Sequence, residues 1–194
     1  MPATTIDART ALLVVDLQRG IVDTAASLLT DAVPPIAQVL DRTRALIDAC
    51  RRKNLPVVLI NVAGSAPGRT EEPRRFDGPF PDGFTDFAPA LGQQAEDIVI
   101  TKRRWGAFSG TELDTRLKAM GITQVIIAGI ATATGVESTA RQAFEQGYNV
   151  TLAIDAMSDM RAAAHRYSIE AVFPRLGETG TAQEIIALLD TGEG

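Results

Sequence analysis

The sequence predicts an α/β fold, a parallel sheet of about six strands with helices on both faces. Three observations carry that prediction. Short runs are apolar throughout rather than alternating, as strands buried on both faces are. Between them lie segments with apolar residues at helical spacing. Glycine, proline and acidic residues punctuate the changeovers. Strands alternating with helices in this way build a parallel sheet by crossover connections.

The first strand is read at residues 11–16, Ala-Leu-Leu-Val-Val-Asp, an apolar run ending in an acid. Residues 17–33 are mixed and are expected to form a loop with at most a short helical turn. Pro34 and Pro35 suit the first turn of a helix. Ile36, Leu40, Ile47 and Cys50 then recur at helical spacing as far as Arg52, and Asn54 is a candidate stop. Val57 to Val62 forms the second strand. Residues 63–92 are dense in Gly, Pro, Asp and Arg without a period, which marks a long binding loop or lid.

Ile98 to Thr101 is the third strand, followed by Lys102-Arg103-Arg104. Thr111 to Met120 is helical, with Leu113 and Leu117 on one face and Gly121 as its stop. Val125 to Ala128 forms the fourth strand. It feeds a small-residue turn, Gly129 to Gly135, and a helix from Val136 to Gln146, closed by Gly147. Val150 to Ile154 is the fifth strand, with Asp155 at its end. Asp159 is expected to cap a helix running to about Val172. A short sixth strand near Leu176 and a helix from Ala182 to Leu189 complete a single domain over residues 1–194.

Composition bounds the function. Of the 194 residues, 45% are hydrophobic and 22% charged, ordinary for a soluble globular chain. A net charge of -5 argues against nucleic acid as the main partner. No apolar run approaches the roughly 20 residues that span a membrane. The N-terminal residues Met-Pro-Ala-Thr-Thr-Ile-Asp carry no signal-peptide pattern. The single cysteine excludes an intrachain disulfide and fits a reducing compartment, so a cytoplasmic location is expected.

In a parallel sheet the C-terminal strand ends share one edge, where open α/β sheets bind ligands. Asp16, Lys102, the turn 129–135 and Asp155 are all placed at such ends. Asp16 would be partly desolvated there, which raises a carboxyl pKa and suits proton exchange. It reads equally as a turn or capping aspartate. Lys102 could neutralise Asp16 or hold a substrate carboxylate, or belong to a solvated basic cluster. Trp105 and Phe108 are candidate pocket walls or core residues. Small residues in the turn let a ligand approach the backbone closely, or let the helix pack on the sheet. Cys50 on its apolar stripe reads as a buried structural thiol. His165, between Arg161 and Ser168, is expected on a solvent-exposed helix face. No metal-ligand cluster, dinucleotide fingerprint or Walker loop is present, so neither a metal nor a cofactor is expected.

Leu-Leu-Val-Val-Asp-Leu-Gln around Asp16, Ile-Thr-Lys-Arg-Arg-Trp-Gly-Ala-Phe-Ser-Gly-Thr-Glu-Leu around Lys102, and Gly-Ile-Ala-Thr-Ala-Thr-Gly-Val-Glu-Ser-Thr-Ala-Arg from Gly129 together resemble the isochorismatase-like hydrolase superfamily. Three motifs in order, with matching spacing, cover nearly the whole chain. The resemblance implies a Rossmann-like three-layer α/β/α fold, assembled as a homodimer or larger oligomer. It implies Asp16 and Lys102 as catalytic residues, a cis peptide bond at Ile130–Ala131, and oxyanion N–H groups on Ala131 and Gly135. Gln18, Trp105, Phe108 and Thr134 become candidate substrate contacts.

Most members of that superfamily are cysteine hydrolases acting on amides. Here the nucleophile position is Gly135, which carries no thiol, so that covalent route is closed. The metal-binding Asp-x-His that nicotinamidases carry is replaced by Asn61-Val62-Ala63-Gly64. The isochorismatase branch works without a thiol: an aspartate protonates an enol ether, water adds, and pyruvate leaves. The resemblance therefore implies an Asp16/Lys102 hydrolase of a small anionic enol ether. Arg69, Arg74, Arg75, Arg103 and Arg104 are cations available to the anion. The alternatives are a catalytically silent binder of a metabolite or partner, and an amidase disarmed at position 135.

Overall fold

A computed structural model of the chain describes residues 2–28, 34–71 and 80–191. Arg74 and Arg75, two of the cations named above, lie outside the described residues. Six parallel strands form one sheet in the order β3-β2-β1-β4-β5-β6. They are β1 (Thr10–Val15), β2 (Val57–Val62), β3 (Ile98–Lys102), β4 (Gln124–Ile130), β5 (Asn149–Ser158) and β6 (Glu178–Gly180). The helices are α1 (Arg19–Leu28), α2 (Ile36–Arg52), α3 (Leu113–Ala119), α4 (Glu137–Glu145), α5 (Ala162–Tyr167) and α6 (Ala182–Thr191). The α/β class and the central parallel sheet expected from the sequence are both present.

Every residue of β1 and β4 is buried, which is why these runs are apolar without alternation. One face of the sheet is covered by Val22 and Ala25 of α1, Val39 and Leu46 of α2, and Ile185 and Leu189 of α6. The other is covered by Leu113 and Leu117 of α3, Ala140 and Ala143 of α4, and Val172 and Phe173 after α5. The chain winds outward from β1 to β3, returns to the centre as β4, and winds the other way. The reversal falls between β1 and β4, and the crevice above that pair is the ligand position of doubly wound sheets. The turn after β4 and Asp16 at the end of β1 therefore face each other.

Gly129 is what allows β1 and β4 to meet so closely. Its φ is 129°, and a Cβ there would lie 2.0 Å from the Val15 carbonyl oxygen. Backbone cannot give way to that extent, so the position admits no side chain.

Two expectations are corrected. Residues 17–33 are not a loop with a short turn, since α1 occupies ten of them. Its first N–H groups are not capped locally. Arg19 N and Gly20 N donate to the carbonyls of Asp86 and Phe84, on the long connection after β2. Asp155 does not end β5, which continues to Ser158. Its carboxylate accepts the Ala182 N–H at the start of α6 at 2.6 Å and pairs with Arg42 at 3.5 Å, away from the crevice. Asp159 is the acid at the true strand end. No helix among the described residues is long and apolar enough to cross a membrane.

Candidate active site

Asp16 leaves β1 with φ 56°, a left-handed conformation that aspartate tolerates better than most residues. Its N–H donates to the Ile60 carbonyl at 2.8 Å, so the turn is anchored to β2. The carboxyl is folded back over the sheet edge and only 5% exposed. Lys102, the last residue of β3, is 1% exposed, and its Nζ donates to Asp16 Oδ2 at 2.6 Å and to the Arg104 carbonyl at 3.2 Å. The other oxygen, Asp16 Oδ1, is buried with no hydrogen-bond partner among the described residues. Burial pushes the Asp16 carboxyl up from 3.8 to about 6, outweighing the opposing charge and hydrogen bond of Lys102. A carboxyl in this state holds a proton at mildly acidic pH and gives it up near neutrality.

Opposite Asp16, the Ile130–Ala131 peptide bond is cis. Thr132–Val136 then forms a π-helical turn before α4, and the Ala131 carbonyl accepts both Thr134 N–H and Val136 N–H. Gly135 is buried in this turn directly beneath Asp16. A Cβ at Gly135 would lie 2.9 Å from Asp16 Oδ2 and 3.3 Å from a Val15 methyl. The space above Gly135 is thus shared between the Asp16 carboxyl and whatever the site binds. Ala131 and Thr134 lie half-buried on the same turn.

The other candidate contacts divide. Gln18 is fully buried, and its amide is committed to backbone. Nε2 donates to the Val62 and Phe84 carbonyls, and Oε1 accepts the Val62 N–H at 2.7 Å. It ties β1, β2 and the long connection together beside the site. Phe108 packs on the α4 side of the core, with its ring 5.8 Å from that of Tyr148. Trp105 is 64% exposed. Arg103 and Arg104, with Thr101, Ser109 and Gly110, line a cleft of about 210 Å³ beside the end of β3. Arg69 is exposed on the long connection. Cys50 is buried in α2, where burial pushes its thiol up to about 12, so it supplies no thiolate near neutral pH. Among the described residues, no three His, Cys, Asp or Glu side chains gather as metal ligands do.

His165 and Asp159, beside the turn, take other places than the sequence suggested, and Thr132 within the turn carried no signal of its own. His165, expected on a solvent-exposed helix face, is buried, with Nδ1 2.8 Å from Thr132 Oγ1. Its face of α5 packs on the π-helical turn, whose polar groups it satisfies, while Ala162 and Ala163 face solvent. Burial lowers its pKa from the ordinary value, with the Asp159 charge opposing. Asp159 does not cap α5. Its Oδ2 accepts Ala133 N–H at 2.8 Å and its Oδ1 accepts Arg161 N–H at 3.0 Å. Thr132 is fully buried between them. The only available signal was an acid shortly after an apolar strand, and ending β5 at Asp155 concealed it.

The family model for the isochorismatase domain matches residues 10–184. An isochorismatase family protein of Bacillus subtilis, YwoC, is 38% identical over 184 residues, covering 92% of this chain and 93% of its own. Streptothricin hydrolase of Streptomyces noursei is 36% identical over 146 residues, 75% of this chain and 48% of that protein. Among solved structures, an isochorismatase family protein from Burkholderia thailandensis superposes with a TM-score of 0.87 at 37% identity, covering 96% of this chain and 98% of that one.

Proposed function

The chain belongs to the isochorismatase family of hydrolases, and from that premise we propose that it hydrolyses a small anionic enol ether, with isochorismate as the first substrate to test. Asp16 is the general acid in this reading. The observation that carries it is a buried carboxyl with one unpartnered oxygen, held near pKa 6 above a residue that has no side chain. Protonated Asp16 delivers its proton to the methylene carbon of the enolpyruvyl group. The C–C double bond supplies the electron pair, and an oxocarbenium ion forms. Water adds to that cation, and collapse of the hemiketal releases pyruvate and the ring alcohol. Lys102 holds the carboxylate that remains, so the spent acid is stabilised until it is reprotonated. Arg103 and Arg104 in the neighbouring cleft supply positive charge for a substrate carboxylate. The test is pyruvate release from isochorismate by the purified protein. Release well above the uncatalysed rate is expected, and none above background overturns the substrate assignment.

A second reading is favoured by one distance. A side chain at position 135 would start 2.9 Å from Asp16 Oδ2, so a thiol there would lie against a carboxyl able to take its proton. The chain would then be a disarmed amidase, and Gly135→Cys should gain hydrolysis of a simple amide such as nicotinamide. The variant's thiol is titrated with iodoacetamide at the same time. A reactive thiol without amide turnover removes this reading.

A further inference from the structure

The turn that carries Gly135 is held from outside the sheet. Thr132 Oγ1 lies 2.8 Å from His165 Nδ1, and Ala133 N–H donates to Asp159 Oδ2 at 2.8 Å. Ser168 Oγ donates to Glu137 Oε2 at 2.6 Å, one residue beyond the turn at the start of α4. All three anchors come from the ten-residue span Asp159 to Ser168, and all are buried, at 4% for Asp159, 6% for His165 and 0% for Ser168. Asp159 is itself locked by the Arg161 N–H. A turn of small residues has little side-chain packing of its own to set its orientation. Here two adjacent points at its start, Thr132 and Ala133, and Glu137 just past its end are bonded to one neighbouring segment.

We infer that Asp159, His165 and Thr132 are positioning residues, which fix the turn 132–136 so that Gly135 and the adjacent backbone N–H groups stay aligned with Asp16. They need not touch the substrate. The kinetic part of this inference rests on the hydrolase reading above, whereas the structural part does not. A displacement of about 1 Å at a reacting centre can lower a rate on the order of 100-fold.

The test uses Thr132→Val, which is nearly isosteric and removes only the hydroxyl, with Thr132→Ser as its rescue and Asp159→Asn as an independent variant. Amide hydrogen exchange at residues 132–136 is followed by NMR without substrate, alongside kcat and KM for pyruvate release. Faster exchange confined to the turn is expected in Thr132→Val and Asp159→Asn. A fall in kcat of about 10- to 100-fold should accompany it, with KM changed less than threefold, and Thr132→Ser should restore both. Unchanged exchange at the turn overturns the inference whatever the kinetics show. Faster exchange with unchanged kcat in an active enzyme overturns the positioning role. If the wild type releases no pyruvate, the substrate assignment fails alone, and the exchange data still decide whether these residues hold the turn. If Thr132→Val does not fold, Asp159→Asn carries the same comparison.

Discussion

Asp16→Asn is expected to lower kcat for pyruvate release by at least about 100-fold, the lower end of what a positioned general acid contributes. The amide has no proton acidic enough to transfer to carbon, while its size is nearly retained and its oxygen can still accept from Lys102. KM should therefore change little, because the loss falls on the transition state. The wild-type pH profile gives the sign independently. In the proposed mechanism the acid form of Asp16 is the working form, and burial pushes its carboxyl up to about 6. Activity should be high below pH 6 and fall about tenfold per pH unit above it, as the proton is lost. A profile that rises through pH 6 would mean that Asp16 works as a base, and would overturn its assignment as the general acid. The comparison is made well below each variant's unfolding midpoint, since removal of the carboxylate leaves Lys102 buried beside a weaker acceptor.

Lys102→Met is expected to destabilise the fold by about 3–5 kcal/mol at pH 8, the range found when one member of a buried pair is removed. Lys102 is among the largest fully buried side chains, and its Nζ is the partner of Asp16 Oδ2. Without it the buried Asp16 carboxylate loses the one ion-pair partner it has among the described residues. The sign with pH follows from linkage. The folded-state pKa of Asp16 is raised above its value in the unfolded chain, so the folded state binds the extra proton and Asp16 favours folding most at low pH. That contribution is lost as pH rises from about 4 through about 6. Loss of Lys102 removes the two influences that lower this pKa, so the window extends upward. The deficit of Lys102→Met should accordingly shrink between pH 8 and pH 5, as measured by urea unfolding. The double variant Asp16→Asn/Lys102→Met should be less destabilised than the sum of the single variants, since the two side chains are in direct contact. Additive losses would show that the pair is not coupled.

Much of the fold was legible because burial on both faces of a parallel sheet writes itself locally. β2 was placed from Val57 to Val62 by its apolar run alone. Asn54, expected to stop α2, has φ 55° and turns the chain into β2. The elements that misled were those whose stability comes from elsewhere. The start of α1 is satisfied by carbonyls of Phe84 and Asp86, more than sixty residues away, so no capping residue marks it. The apolar run of β5 is interrupted by Asp155, whose carboxylate is compensated by Arg42 and the first turn of α6.

By itself the sequence determined which segments are strands, and that Asp16 and Lys102 both end a strand at the same edge of a parallel sheet. It also determined that position 135 has no nucleophile. Tertiary structure decided the strand order, with β1 beside β4, and so brought the carboxyl over Gly135. It decided which side of α5 is buried, turning an expected surface histidine into an anchor of the turn. It also set the protonation balance of Asp16, because desolvation and a lysine 86 residues away act in opposite directions, and only three-dimensional burial determines which prevails. Apolar periodicity is a property of neighbouring residues along the chain. The burial of a polar group depends on partners that folding alone supplies.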